Sequence, residues 1–485
     1  MTKNVPVDQI SDVVWEIPKS YKEGMKVPAR IVVSDELKKY IEPRVIDQIT
    51  NVATLPGIQK YAIALPDAHV GYGYPIGGVS AHDMEEGVIS PGGIGFDINC
   101  GVRMLRTNLT EQDVKPKIKE LVNELFRQVP AGVGAQGFVK LQRNEFLNVL
   151  RDGAKWCLDK EYAWESDIEH IESNGCLSQA DPNALSNRAI DRGLSQLGTL
   201  GSGNHFLEIQ VLKPEGVLDE KLAKTFKLSE ENQVTMMIHC GSRGLGHQVG
   251  SDYLKSFLKA MPKHNLPIRD KQLACAPIQS KEGQDYYAAM ACAANYAFAN
   301  RQIILHRVRE VFEKVFNQSA ADLGLELIYD VAHNIAKIEE HTIEKKKKTL
   351  MVHRKGATRG FPPHHPEIPQ DYQETGQPII LGGSMETGSY LVVGMKEGMD
   401  VSFGSTAHGA GRTMSRSQAK KRVFGKTLLK EMRSKGIYVK GASMAGLAEE
   451  AGIAYKNLDA VIDTLKRAKI GHPVVKLIPI GNVKG

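Results

Sequence analysis

Ser90-Pro-Gly-Gly-Ile-Gly-Phe-Asp97-Ile-Asn-Cys100-Gly101 is the segment on which the fold turns. Glycine lets the backbone take positive φ and lets a ligand approach closely. Here it surrounds a carboxylate and a thiol three residues apart, Asp97 and Cys100. The segment closes a longer run, Gly71 to Gly101, with nine glycines in 31 residues. Four more stretches repeat the pattern: Gly198-Thr-Leu-Gly-Ser-Gly-Asn204-His205-Phe206-Leu-Glu208, Ile238-His239-Cys-Gly-Ser-Arg243-Gly-Leu-Gly-His247, Gly382-Gly-Ser384-Met-Glu-Thr-Gly-Ser389-Tyr and Phe403-Gly-Ser-Thr-Ala-His408-Gly-Ala410-Gly411-Arg412. Outside them, Asp330-Val-Ala-His333-Asn334 puts a histidine at the end of a β-prone run. Polar residues on loops at strand ends are where α/β enzymes keep their sites. The expected fold is therefore mixed α/β, of the α+β kind, with the site in Gly-rich loops.

The rest of the composition sets bounds. The chain has 485 residues, 62 Lys plus Arg against 56 Asp plus Glu, and 46 Gly, above the usual share of about 7%. At 42% hydrophobic and 24% charged it is neither disordered nor collagenous. No apolar run approaches the ~20 residues that span a bilayer, so no membrane partner is expected. The start, Met1 to Ile10, lacks a basic stretch followed by an apolar block, so no secretory signal is expected. The six cysteines form no Cys-x-x-Cys pair. Reduced thiols and a cytoplasmic location follow as the expectation. A net charge of +6 does not by itself separate a nucleic-acid binder from another enzyme. The run Lys345-Lys346-Lys347-Lys348 reads as a solvated turn.

Thr110 caps an expected helix with Val114, Ile118, Leu121, Val122, Leu125 and Val129 at helical spacing. Helices are also expected from about Gly283 to Phe316, over 416–435 and over 456–469. Strands are expected at Phe206–Leu212, Val234–Ile238, Leu325–Val331 and Tyr390–Val393. Residues 354–377, with Pro362-Pro363-His364-His365-Pro366, read as a long loop. No fixed repeat or flexible boundary is visible, so one large domain is expected over 1–485, with 1–25 as an N-terminal extension.

Asp97, Cys100, His205, His239 and His333 together make a carboxylate, thiolate and imidazole set competent to bind a metal. Singly, each histidine also reads as a satisfied core residue and Cys100 as an inert buried thiol. Two nucleotide motifs fail. Gly425-Lys426-Thr427 resembles the end of a P-loop, but its earlier glycine position holds Lys420. The Lys-x-Asp-Gly of common nucleotidyl-transferring ligases is absent, because Asp152-Gly153 follows Leu150 at the lysine position. His408, in a loop of small residues with Arg412 nearby, is the best-placed nucleophile. A helix-terminal histidine or a further metal ligand remains an equal reading of it.

The strings Pro66-Asp67-Ala-His69-Val-Gly, Gly95-Phe-Asp97-Ile-Asn-Cys100-Gly-Val-Arg, Gly203-Asn204-His205-Phe206, His239-Cys-Gly-Ser-Arg243-Gly, Asp330-Val-Ala-His333-Asn334 and His408-Gly-Ala-Gly-Arg412 resemble the RtcB-type RNA ligases, in that family's order and across essentially the whole chain. The resemblance implies a GTP-dependent ligase, acting in tRNA splicing or RNA repair, that joins an RNA 3′-phosphate or 2′,3′-cyclic phosphate to a 5′-hydroxyl. It implies that His408 becomes guanylylated and that Asp97, Cys100, His205, His239 and His333 hold two Mn²⁺ ions, with Cys100 bridging. Asn204, Phe206, Glu208, Ser384, Ser389, His408, Ala410, Gly411, Tyr455 and Lys484 match positions around the guanine nucleotide. Arg192, Arg243, Asn334, Lys355 and Arg416 match positions at RNA phosphates. The implied partners are RNA, tRNA exon halves above all, and an archease-type activator.

The residue types suit that chemistry. Alternation along a strand puts Asn204, Phe206 and Glu208 on one face and His205 on the other. The Glu208 carboxylate can accept from two ring-edge donors of guanine that adenine lacks. By softness alone, thiolate and imidazole suit Zn²⁺, so Mn²⁺ rests on the resemblance. The alternative is a metal-dependent RNA cyclic phosphodiesterase, which needs the five ligands but not His408.

Overall fold

The apolar runs become strands of two sheets, and the glycine loops gather where the sheets meet. A computed structural model describes residues 5–267 and 269–485. The eight-stranded sheet has the spatial order Glu326–Ala332, Gly101–Thr110, Gln233–Cys240, Phe206–Val217, His472–Lys484, Ser389–Val393, Pro378–Gly382. Its eighth strand, Tyr438–Gly441, runs parallel beside His472–Lys484. The other neighbours are antiparallel. The seven-stranded sheet has the order Asp8–Gln9, Val14–Ile17, Ala29–Val32, Ala62–His69, Ile76–Asp83, Lys346–Lys355, Asn334–Ile343. Asp8–Gln9 forms one edge of it and Asn334–Ile343 the other. His333 is the single residue between Glu326–Ala332 in one sheet and Asn334–Ile343 in the other. The fold is α/β of the mixed, mainly antiparallel kind.

The helix Lys281–Phe316 has 36 residues, about 54 Å of rise, and is buried along most of its length. Ser280 caps its start by accepting from the Gly283 amide, and Asn317 ends it with φ of 54°. Its alanines pack closely against the core, while a few polar side chains brace the loops of the site. Arg301 donates through Nη1 to the carbonyls of Asn99 (2.7 Å) and Cys240 (2.9 Å) and pairs with buried Asp330. Asn300 Oδ1 accepts from the Gly198 amide at 2.7 Å, and Asn99 Nδ2 donates to Ala294 O at 2.7 Å.

Several elements differ from their reading in the sequence. Thr110 does cap, with a reciprocal box to Asp113, but Pro116 breaks the helix into Glu111–Val114, a 3₁₀ turn at Lys115–Lys117, and Ile118–Gln128. The stretch 416–435 is two helices, Arg416–Arg422 and Gly425–Ser434, parted at Val423 and Phe424. The region 354–377 is a loop only in part, because Ala357–Arg359 pairs with Ser405–Ala407. The lysine run forms one side of a hairpin turn, with positive φ at Glu344 and Lys345. Among the described residues, no helix is long and apolar enough to cross a membrane.

Candidate active site

Loops before and after adjacent strands bring five donor side chains together. Asp97 and Cys100 precede strand Gly101–Thr110, His205 precedes Phe206–Val217, and His239 lies near the end of Gln233–Cys240. Register sets Val102 and Phe206 on either side of His239. His333 arrives from the junction of the sheets. Two triads result, Asp97–Cys100–His205 and Cys100–His239–His333, each with its donor atoms within 4.8 Å of one another. Cys100 belongs to both: its Sγ lies 3.4 Å from His205 Nε2 and 3.3 Å from His239 Nε2.

The chemistry of this donor set fits a metal. His239 Nδ1 faces the Asn204 carbonyl and His205 Nδ1 the Leu200 carbonyl, both at 3.1 Å. The Asn204 carbonyl holds the His239 proton on Nδ1 and leaves its Nε2 as the ligand atom, whereas His205 directs Nε2 at Asp97 and would give up the proton there when an ion binds. Burial keeps His239 and His333 well below the usual histidine range, yet their Nε2 atoms converge to 3.3 Å. At that distance one ring donates to the other, and a cation bound there would instead take a lone pair from each. Burial, reinforced by Asp97, pushes the Cys100 thiol up to about 12, so an ion is what would make it a thiolate. Burial opposes the charge on Asp97, but His205 at 2.8 Å and Arg243 hold it well below the carboxylate range. Gly241 is required here because a Cβ would sit 2.2 Å from Asp97 Oδ1.

The donors open onto a cavity of about 920 Å³, with His408 in its wall. The His408 ring lies 5.1 Å from that of His333, centroid to centroid. Asp67 is the functional residue whose role the sequence did not disclose. It is fully buried in strand Ala62–His69 and accepts from His408 twice, from Nδ1 at 2.5 Å and from the backbone amide at 3.0 Å. Burial works against the Asp67 charge, but His408 and Lys456 together hold its carboxyl below the usual range. Lys456 reaches past it to the carbonyls of Pro66 and Ala68. Gly411, at φ of 72°, lets the His408 loop pass where a Cβ would meet Asp67 O at 2.1 Å. His69, its Nδ1 bonded to Asp67 O at 3.0 Å, lines the same wall and is kept neutral by burial, at about 3.

Most positions that the resemblance marked converge on this cavity. Asn204, Phe206, Glu208, Ser384, Ala410, Gly411, Tyr455 and Lys484 line it, as do Asn334, Lys355 and Arg416. Glu208 accepts from Gln210 and Asn482, each at 2.7 Å, and burial raises its carboxyl to about 7. His205 points to the other face of its strand, toward the metal donors. Ser389 lies behind the wall, its Oγ accepting from Gln210. Arg243 sits behind His205 with Nη1 3.1 Å from Nδ1, and Arg192 bonds Gln248 at the surface. Lys355 donates to Tyr72 O and Gly92 O, and burial pulls its ammonium down to about 7. Arg412 also lines the cavity and is held by Glu450, Tyr455 and the Glu449 carbonyl. Buried Glu450, which also pairs with Lys484 and Arg416, carried no signal in the sequence.

Comparison with known proteins agrees with this geometry. A family profile described as "tRNA-splicing ligase RtcB" matches residues 48–485. A protein of Archaeoglobus fulgidus named tRNA-splicing ligase RtcB is 54% identical over 477 residues, 98% of each chain. Proteins of the same name from Thermococcus kodakarensis, 51% identical over the full length of both chains, and Aeropyrum pernix, 52% identical over 99% of this chain and 100% of its own, are similar. This chain belongs to the tRNA-splicing ligase RtcB family.

Proposed function

We propose that the protein is a GTP-dependent RNA ligase that joins 3′-phosphate or 2′,3′-cyclic phosphate ends to 5′-hydroxyl ends, with tRNA halves as its substrates, through a histidine–GMP adduct. The observation that carries this reading is His408, held by buried Asp67 beside the metal donors. Asp67 keeps the proton on Nδ1, so the Nε2 lone pair is free to attack. His408 Nε2 bonds to the α-phosphorus of GTP as the bond to pyrophosphate breaks, and the ring gains a positive charge that Asp67 offsets. A cyclic end is first opened by water, which breaks the bond from phosphorus to O2′ and leaves a 3′-phosphate; GMP then passes to that 3′-phosphate, which regenerates His408. A 5′-hydroxyl attacks the activated 3′-phosphorus, forming the phosphodiester and expelling GMP. Mn²⁺ ions held by Asp97, Cys100 and His205, and by Cys100, His239 and His333, would neutralise phosphate charge throughout.

Glu208 receives the guanine ring edge, and Phe206, Tyr455 and Lys484 surround it. The resting bonds from Gln210 and Asn482 hold that carboxylate in place. Asn334, Lys355, Arg192, Arg243 and Arg416 offer cations and amides to RNA phosphates. A cyclic phosphodiesterase would use the same donors but has no need of a histidine oriented by a buried aspartate. Incubation with α-labelled GTP and Mn²⁺ is expected to leave acid-labile label on the wild type and none on His408→Ala. Labelling and ligation by His408→Ala would overturn the reading.

A further inference from the structure

Beyond the cavity lies a surface that the chemistry at His408 does not use. Residues 416–435 carry eight cations, Arg416, Lys420, Lys421, Arg422, Lys426, Lys430, Arg433 and Lys435, against Glu431 alone. That is a net +7 in a chain whose total is +6, so the remaining residues sum to −1. The charge is not neutralised locally. Arg416 and Lys420 pair with Glu449 and Glu450, and Lys435 pairs with Glu386. Among the described residues, Lys421, Arg422, Lys426 and Lys430 have no carboxylate within 4.0 Å.

Phe424 stands among these cations, at the break between helices Arg416–Arg422 and Gly425–Ser434, and is 78% exposed. An aromatic ring so exposed is not a core residue, because the small core beneath it is built from Leu428, Met432, Leu447 and their neighbours. Gly425 holds the break close to the chain at Met444, since a Cβ there would lie 2.4 Å from Met444 O. Phe424 is therefore fixed by its backbone while its ring stays free. The near end of the surface, Ser415, Arg416 and Gln418, is part of the cavity wall.

We propose that this surface carries the RNA strand out of the cavity, with Lys421, Arg422 and Lys426 on its phosphates and Phe424 stacked on a base. The proposal rests on the RNA-ligase reading for the identity of the strand. Cations that track a backbone, with an aromatic face among them, are the combination that binds single strands without reading sequence. Helix Arg416–Arg422 rises about 10 Å, the span of roughly three stacked nucleotides. The stacked base thus lies about three nucleotides beyond the one at Arg416, and a strand ending at the cavity wall would not reach Phe424.

The test is binding of a labelled single-stranded RNA to the full chain without GTP, beside guanylylation without RNA. Phe424→Ala is expected to weaken binding about tenfold, with Phe424→Tyr restoring it. The Lys421→Ser/Arg422→Ser/Lys426→Ser variant is expected to flatten the log–log salt dependence by about 2. Both should leave His408 labelling at the wild-type level, which also shows that they fold. Unchanged RNA affinity and salt slope would overturn the proposal. So would intact RNA binding with lost binding of polyglutamate, which would mark a site for an acidic protein. If the wild type bound RNA through Phe424 yet never formed the adduct, the ligase reading would fail and this surface would stand.

Discussion

His408 can serve as a nucleophile through Nε2 only if its proton stays on Nδ1, and Asp67 is the group that enforces this. Asp67→Asn keeps the shape but loses the charge and the preference for one tautomer. Its guanylylation rate is expected to fall about 10²–10⁴-fold, with GTP affinity nearly unchanged, in a single-turnover assay. Glu208 gives a pH dependence of its own. Burial raises its carboxyl to about 7. A carboxyl raised on folding contributes stability fully below its unfolded value, near 4, and loses it as pH climbs through 7. In the proposed nucleotide site the same ionisation would provide the acceptor for guanine. GTP binding should therefore strengthen between pH 6 and 8 while stability at this site declines. Glu208→Gln should flatten both trends, as titration calorimetry and urea unfolding at several pH values would show.

At the scale of elements, the long helix is the rod that sets the loops. Arg301, fully buried, ties Asp330 to the carbonyls of Asn99 and Cys240, the residues beside Cys100 and His239. Arg301→Ala leaves Asp330 with Arg103 alone and takes the donor from the Asn99 and Cys240 carbonyls, and is expected to cost about 3–5 kcal/mol in denaturant unfolding. Much of this framework was legible in the sequence. The glycine loops stood out because each set a donor in a run of small residues, and alternation placed Glu208 opposite His205. Asp67 stayed hidden because it lies inside a strand, where a buried acid has no pattern of its own. Glu450 was hidden for a related reason, since its partners Arg412 and Lys484 come from distant segments. The pairing of strands into two sheets joins residues such as Arg103 and Asp330, 227 apart, which no local periodicity records. Pro116 and Gly425 were readable as breaks, and helical spacing outweighed them.

For the molecule as a whole, four donors belong to the eight-stranded sheet and the fifth, His333, sits at the junction with the other, so an ion bound there would tie that junction to the eight-stranded sheet. Saturating Mn²⁺ at about a hundred times its dissociation constant should add about 2.7 kcal/mol, which chelation removes. Cys100→Ala, lacking the donor common to both triads, should lose both the metal and the response of the thermal midpoint to chelator. A midpoint that still shifted with Mn²⁺, at unchanged stoichiometry, would exclude a bridging role.

His333 alone separates a strand of one sheet from a strand of the other, and His408 meets Asp67 across 341 residues of sequence. A half-built sheet does not hold the complete set. A chain still on its way to the native state would therefore have no means of carrying out the proposed reaction. If His408 carries the proposed adduct, quality control is written into the topology, since only a finished molecule could charge its histidine.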